Sequence, residues 1–248
     1  MKILLSGACG HMGQEVLKLA MAGFRGAQVV AGIDLNRNDT CPVPCAADFA
    51  SAETNVDCIV DFSHHSATSA LLDFAVSHNL PLVLATTGQT DDERSAICAA
   101  SCRIPLFFAA NYSMGIALLL ELAKQTAAAF PEAEIEIVEK HHDRKLDAPS
   151  GTALALAEAI RTVRPEAWVN TGRSGNGKRT PEEIGIHAIR MGNIVGEHEV
   201  IIGTPNQTIT LKHEAHSRAL FAEGALAAAA FLQGKPAGLY NMQSLLSL

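Results

Sequence analysis

The chain reads as an α/β protein: a doubly wound parallel sheet through its first half, followed by an α+β segment with an open mixed sheet. Three observations carry this reading. Short apolar runs alternate with helical patterns up to residue 109, which implies parallel strands joined by crossover helices. Those runs are continuously apolar, as strands covered on both faces are. After residue 112 the order changes: three strand patterns follow one another without helices between them, free to pair antiparallel with their neighbours.

Strands are read at residues 2–6, 28–34, 57–62, 81–85 and 104–109, with helices at 12–22, 67–77 and 91–101. Ser113 can cap a long helix over 114–130, which Pro131 ends. Residues 135–138 alternate with glutamates as a strand does, and 153–161 follow a helical pattern. The polar, glycine-rich stretch 168–179 reads as a loop. Strands at 184–190, 197–202 and 208–214 precede an alanine-rich helix over 217–232 and a short tail from 239. There is no internal repeat, and the shift in pattern near residue 112 marks the domain boundary.

At 248 residues, with 48% hydrophobic and 18% charged residues, the chain is globular rather than disordered. No apolar run reaches the ~18 residues of a membrane span. The apolar stretch at the N-terminus is too short for a secretory signal. A net charge of -7, a pI of about 5.8 and 5% aromatic residues argue against nucleic acid as a partner. The six cysteines, Cys9, Cys41, Cys45, Cys58, Cys98 and Cys102, all lie in the first 102 residues. No CxxC pair and no nearby histidine completes a zinc site around Cys41-Pro-Val-Pro-Cys45. The expectation is reduced thiols, no metal and a cytoplasmic protein.

Gly7-Ala8-Cys9-Gly10-His11-Met12-Gly13 follows the first strand and opens the first helix. Glycines there let the main chain approach a pyrophosphate, and the helix end offers free N–H donors. A plain strand-to-helix turn is the alternative. Asp34 strengthens the ligand reading, because it ends the second strand 21 residues beyond Gly13, where a ribose-binding acid belongs. Its carboxylate would repel a 2′-phosphate, and Arg37 could partly offset that, so NADH is favoured and NADPH is possible. Ala85-Thr86-Thr87-Gly88 and Ala109-Ala110-Asn111-Tyr112-Ser113 end two further strands on the same side, as ligand-contacting segments or as ordinary turns. Ser63-His64-His65 reads as a polar helix cap.

The densest run of charge spans residues 136–153 and holds Glu139, Lys140, His141, His142, Arg144, Lys145 and Asp147. It closes on Pro149-Ser150-Gly151-Thr152, a helix start with Ser150 as N-cap. The N–H groups of Gly151, Thr152 and Ala153 and the Thr152 hydroxyl can hold a carboxylate at the positive end of the helix dipole. Lys145 can add charge to the same anion. His141 or His142 can serve as a general acid. His11 reads as covering the cofactor or facing solvent. His187, His198, His213 and His216 share no metal-ligand spacing and read as core or surface residues, and Glu183 and Arg190 read as structural. Arg173, Lys178 and Arg179 sit in the glycine-rich loop, either as a solvated connection or as a closure over a dianion.

The order Glu139-x-His141-xxx-Lys145-x-Asp147-x-Pro149-Ser150-Gly151-Thr152-Ala153 resembles the signature of the 4-hydroxy-tetrahydrodipicolinate (dihydrodipicolinate) reductase family of lysine biosynthesis. The likeness extends along the chain, through Gly7–Gly13, Thr86-Thr87-Gly88, Phe108–Ser113, Glu183-Ile184-Gly185, Arg190–His198 and Ser217-Arg218. It implies a Rossmann-like dinucleotide-binding domain of residues 1–112 and 217–248, and a substrate-binding and tetramerisation domain of residues 113–216. It implies NAD(P)H-dependent reduction of a small dicarboxylate, with hydride delivered to ring C4. It makes His141 the proton donor, Lys145 the lysine that binds or polarises the substrate, His142 a substrate contact, and Gly151 and Thr152 the carboxylate-binding pair. Its cofactor positions fall on Gly7, Ala8, Cys9, Gly10, His11, Met12, Asp34, Ala85, Thr86, Thr87, Ala109, Ala110, Asn111 and Tyr112. Members that use NADPH well often carry a basic residue directly after the acid. Leu35 stands there in this chain, which favours NADH. The competing readings are another nicotinamide-dependent dehydrogenase of similar fold, and a non-catalytic NAD(H) sensor.

Overall fold

The computed structural model describes residues 1–36 and 41–246; Arg37, weighed above as a phosphate partner, lies outside the described residues. The chain divides into two compact units, Met1–Met114 with Arg218–Leu248, and Gly115–Ser217.

In the first unit, β1 (Lys2–Ser6) runs into α1 (His11–Met21), then β2 (Gln28–Ile33), the two-residue β3 (Cys45–Ala46) and β4 (Cys58–Asp61). Next come α2 (Thr68–Ser77), β5 (Leu82–Leu84), α3 (Asp91–Ser101) and β6 (Pro105–Phe108). All strands pair parallel, β12 (Gly238–Tyr240, the last in the chain) included, in the order β12-β6-β5-β4-β1-β2-β3. Apart from the added β12, this is the doubly wound order, which reverses direction between β1 and β4. Ligands bind such sheets at that reversal, beyond the carboxyl ends of the strands. The continuously apolar strands are buried as expected: Leu4, Ile59, Leu82, Leu84 and Leu106 pack with Leu71 of α2 and Ile97 of α3.

The second unit carries most of α4 (Met114–Ala129), then β7 (Glu134–His141), α5 (Gly151–Arg161), β8 (Trp168–Asn170), β9 (Glu183–Arg190), β10 (Gly196–Thr204) and β11 (Gln207–Ala215). Its sheet order is β11-β10-β7-β9-β8. β7 pairs parallel with β9, and β8 does the same, while β10 is antiparallel to β7 and β11. The sheet is thus open and mixed. The expected antiparallel pairing of neighbours holds for β10 with β11 but not for β9 with β10, because β7 lies between them. The stretch expected as loop begins with β8, whose three residues are recruited by pairing with β9. The tail likewise holds β12 and α7 (Met242–Leu246), after α6 (Ala219–Leu232). Short segments of this kind take their structure from the sheet they join, not from local pattern.

One feature of this sheet positions the charged residues of the second unit. Side chains on a strand alternate with a period of two. Ile135 and Ile137 of β7 are buried against Ile116, Leu119, Leu156 and Ile160 of α4 and α5. Glu139 and His141 continue the same face. On β9, Ile184 and Ile186 lead to Arg190; on β10, Ile202 and Val200 lead to His198 and Gly196. Three strands therefore run from hydrocarbon to charge along one face. Register sets Glu139 beside His198 and His141 beside Arg190.

Candidate functional site

In the first unit, Gly7 takes a φ of +78°, and a Cβ there would stand 2.5 Å from the Phe62 carbonyl oxygen. A Cβ on Gly13 would stand 2.2 Å from the Gly7 carbonyl oxygen. Only glycine fits either place, so the turn is pressed against both the helix and the neighbouring strand end. Beyond it opens a cleft of about 550 Å³ lined by Gly7, Cys9, Gly10, Asp34, Leu35 and Asn36, with Ser63 and His64 across from them. Asp34 accepts from the Cys9 N–H through Oδ2 (2.9 Å) and from the Asn36 N–H through Oδ1 (2.8 Å). Its carboxylate is thereby fixed at the cleft wall. These residues can hold the pyrophosphate and ribose of a dinucleotide: a helix N-terminus, a turn no Cβ can fill and one oriented acid.

The other sequence-predicted cofactor residues are placed as follows. His11, Thr87 and Ala110 are exposed, while Ala8, Ala85 and Thr86 are buried. Thr86 gives its hydroxyl to Asp61 (2.6 Å). Tyr112 is 3% exposed and donates to the carbonyls of Leu84 (2.9 Å) and Phe107 (3.1 Å). The hydroxyls of Thr86 and Tyr112 are thus spent on the fold. Asn111 accepts the Ser113 N–H (2.8 Å) ahead of α4. Sequence reasoning missed Asp61, which ends β4 at the sheet reversal and is 1% exposed. Burial pushes its carboxyl up from the usual range, against the hydroxyls of Ser63, Thr86 and Ser6, which favour the ionised form. Its position at the end of a parallel strand was the available signal.

In the second unit, Glu139 is fully buried and accepts four hydrogen bonds. Arg190 forks onto both oxygens (2.7 and 2.8 Å), His141 Nδ1 lies 2.5 Å from Oε2, and the Ser150 N–H donates to Oε1 (3.0 Å). Burial alone would raise its pKa; Arg190, His141 and Ser150 together outweigh burial and hold the carboxyl below the usual range. The contact fixes the His141 tautomer: with Nδ1–H given to Glu139, Nε2 is turned outward. It turns toward Gly196, where a Cβ would stand 3.1 Å away. His141 itself is held below the ordinary imidazole value of 6.5, chiefly by burial, with Glu139 opposing and Lys145 and Arg190 adding to the depression.

Around this pair the remaining predicted residues gather. Ser150 caps α5, its Oγ accepting the Ala153 N–H (3.2 Å). The first turn of α5, with Gly151 and Thr152, therefore opens beside Glu139. Lys145 pairs with Asp147 (2.8 Å) and is close enough to His141 to depress it. His142 bonds through its main chain to Ile194 (2.8 Å), and its Nδ1 is buried with no hydrogen-bond partner among the described residues. His198, 4% exposed, stacks edge-on with His141 (5.1 Å between centroids) and meets Ser150 Oγ at 3.2 Å. Burial first, then His141, push it down to about 4. The cluster can present an anion with Lys145 and a helix end, and a proton with His141.

Glu139 as organiser, Arg190 as its counter-ion and His198 as wall were not assigned in the sequence. Arg190, read there as structural, also reaches the Asp147 carbonyl (2.6 Å) and so ties the Lys145 loop to β9. Glu183 is structural, holding Arg173 at 3.1 Å. Arg179 is likewise tied, to Glu136 (3.1 Å). Two of the three cations of the glycine-rich loop are therefore engaged within the unit. Cys9, Cys41 and Cys45, expected to have no joint role, come together beside the cleft.

Comparison with known proteins bears on both units. Residues 1–112 match the family model described as dihydrodipicolinate reductase, N-terminus, and residues 115–246 match its C-terminus counterpart. A protein of Caldanaerobacter subterraneus subsp. tengcongensis named 4-hydroxy-tetrahydrodipicolinate reductase is 44% identical, over 98% of this chain and 97% of its own. One of the same name from Clostridium novyi is 42% identical, over 99% and 98%. Among solved structures, a dipicolinate-bound dihydrodipicolinate reductase from Paenisporosarcina sp. TG-14 superposes with a TM-score of 0.82 at 26% identity, covering 98% of both chains.

Proposed function

The chain belongs to the dihydrodipicolinate reductase family, and on that premise we propose that it reduces 4-hydroxy-tetrahydrodipicolinate to tetrahydrodipicolinate with NAD(P)H. The observation that carries the reading to these residues is the Glu139 cluster, which holds a histidine, a lysine and a helix N-terminus in one place. The Gly7–Asp34 cleft would hold a nicotinamide dinucleotide, which would supply a hydride to C4 of the cyclic unsaturated dicarboxylate formed when the 4-hydroxy substrate loses water. The shape of that cleft rests on Gly7 and Gly13, whose missing side chains let the turn pack against the start of α1 and the end of β4.

His141 is the proton donor. Glu139 fixes its ring and leaves Nε2 to face the substrate, where it protonates the carbon next to C4 as electron density builds there. In the free protein burial keeps His141 neutral more often than not at pH 7. A dicarboxylate brought beside it favours the imidazolium, so substrate arrival charges its own acid. Lys145 and the N–H groups of Gly151 and Thr152 hold the substrate carboxylates, and His142 lines the same place. The neighbour solved with dipicolinate, an aromatic dicarboxylate, supports this substrate class. Asp34 followed by Leu35 supports NADH over NADPH. A homotetramer in the cytoplasm completes the proposal; no helix among the described residues is long and apolar enough to cross a membrane.

A coupled assay tests this. The 4-hydroxy substrate is made in situ from pyruvate and aspartate semialdehyde, and consumption of NADH and NADPH is compared. Turnover with both, and a higher kcat/KM with NADH, is expected. Consumption of neither removes the proposal, and a preference for NADPH removes the role given to Asp34 and Leu35.

A further inference from the structure

We propose that Cys9, Cys41 and Cys45 form a binding site for one soft, thiolate-seeking metal ion at the edge of the dinucleotide cleft. The three Sγ atoms lie within 4.8 Å of one another. They come from separate pieces of chain: the glycine turn after β1, the segment leading into β3, and β3 itself. A metal–thiolate bond of about 2.3 Å sets the sulfurs around one ion about 4 Å apart, so small side-chain rotations close the set.

The fold brings them together for a definite reason. β3 pairs with β2 so that Cys45 lies opposite Gly32, and the Gly32 N–H donates to the Pro44 carbonyl (2.8 Å). A Cβ on residue 32 would stand 2.7 Å from Ala8 Cβ and 3.4 Å from Cys45 Sγ. The glycine therefore lets the edge strand and the Ala8–Cys9 turn meet across β2. None of the three cysteines is in a disulfide, and all are half-buried, shielded yet reachable. Three sulfurs without nitrogen select soft d10 ions, Cu(I), Cd(II) or Zn(II) with a solvent fourth ligand, over oxygen-seeking ions. An ion here ties the glycine turn to the β3 edge, two parts of the first unit that flank Asp34. The site stands apart from the reductase reading and from the sequence expectation of no metal.

The test is titration of the full, reduced chain with Cd(II), followed by the thiolate-to-cadmium absorption. One ion per chain with the intensity of three thiolates is expected. Loss of an outer-shell partner already costs about 10–100-fold in metal affinity, so Cys41→Ser and Cys45→Ser are each expected to weaken binding on the order of a hundredfold. The Cys98→Ser/Cys102→Ser pair, which removes the two exposed thiols of the α3 end, is expected to change nothing. Circular dichroism checks that each variant folds, and cadmium NMR of the unaltered chain counts sulfur ligands without any substitution. A band that survives loss of Cys41 and Cys45, a band lost with Cys98 and Cys102, no band, or fewer than three sulfurs by NMR overturns the site.

Discussion

The cleft of the first unit is made of main chain, whereas the cluster of the second is made of buried charge. Around Gly7 and Gly13 the working parts are absent side chains and the N–H groups of a helix end, with the Asp34 carboxylate fixed at the cleft wall. Around Glu139 the parts are a carboxylate, a guanidinium and two imidazoles at the ends of three strands. The first tolerates no added atoms but asks little of protonation. The second depends on the Arg190 fork, because a buried Glu139 stripped of that cation is left uncompensated. Shape should therefore govern one site and protonation the other.

The largest effect that tests this division is in the second unit. His141→Gln is expected to lower turnover about 100- to 10,000-fold, the range for loss of a general acid, with the melting temperature held within a few degrees. Lys145→Ala should act in the same direction through substrate binding. Near-normal rates in both would break the assignment. The same histidine sets a pH signature. Its pKa is depressed below 6.5, and the acid must be protonated to work. The kcat/KM of the free enzyme, which reports that pKa, is then full below it and falls about tenfold per pH unit above it. A basic limb well above 6.5 would show that another group donates the proton.

Next in size is a change of shape alone. Gly13→Ala puts a methyl group 2.2 Å from the Gly7 carbonyl oxygen. Overpacking of this kind costs about 1–3 kcal/mol, and the displaced turn should weaken NADH more than about tenfold by calorimetry. Unchanged NADH affinity would show that the turn is not the cradle.

How legible each site was follows the same division. The cleft was written locally: three glycines, a strand before them, a helix after, and an acid 21 residues on. The His141–Thr152 run was also local and carried its own likeness. The residues that organise it were not. Glu139 meets Arg190 and His198 only because β7 lies between β9 and β10, a pairing across more than 50 residues that no spacing announces. The reading of β9 and β10 as partners would have separated them. The face they share was visible in principle, since Ile135, Ile137 and Glu139 already alternate, but the period of two says which side a residue takes and not what it meets there. β3 was hidden for a similar reason, and with it the three cysteines: two residues make a strand only when a neighbour pairs with them.

A moderate effect sharpens the part that Asp34 plays in the main-chain site. Asp34→Asn keeps an oxygen for the Cys9 N–H (2.9 Å) but removes the charge proposed to hold ribose hydroxyls and repel a 2′-phosphate. Hydrogen bonds to charged groups are worth about 1.5–3 kcal/mol, so NADH affinity should fall about tenfold or more while NADPH changes less. Equal losses for both would place the ribose elsewhere.

The smallest comparison sets one helix cap against another. In the first unit Thr90 accepts the Glu93 N–H (3.2 Å) and Glu93 answers onto the Thr90 N–H (2.7 Å). Thr90 is exposed and Glu93 half-buried, so Thr90→Ala should cost about 1 kcal/mol, as N-cap losses do. In the second unit Ser150 caps Ala153 and also meets His198 Nε2. Having accepted one N–H, its hydroxyl can give its proton to that nitrogen, while His198 Nδ1 is already without a partner. Ser150→Ala should therefore cost the cap plus about 1–3 kcal/mol for an unsatisfied buried group, read as a lower urea midpoint at unchanged slope. Acid separates the two terms. His198 is held near 4 in the fold against 6.5 when free, so the unfolded chain takes the proton first and stability falls as pH drops from 6.5 toward 4. The Ser150 hydroxyl favours the neutral ring, so without it His198 protonates more readily in the fold and the acid loss is shallower. The gap between Ser150→Ala and the parent should narrow from about pH 6.5 downward, while the gap for Thr90→Ala holds until the Glu93 carboxyl, which Thr90 keeps below its usual range, begins to protonate. Parallel behaviour of the two variants would mean that Ser150 is only a cap and that buried charge reaches no further than Glu139.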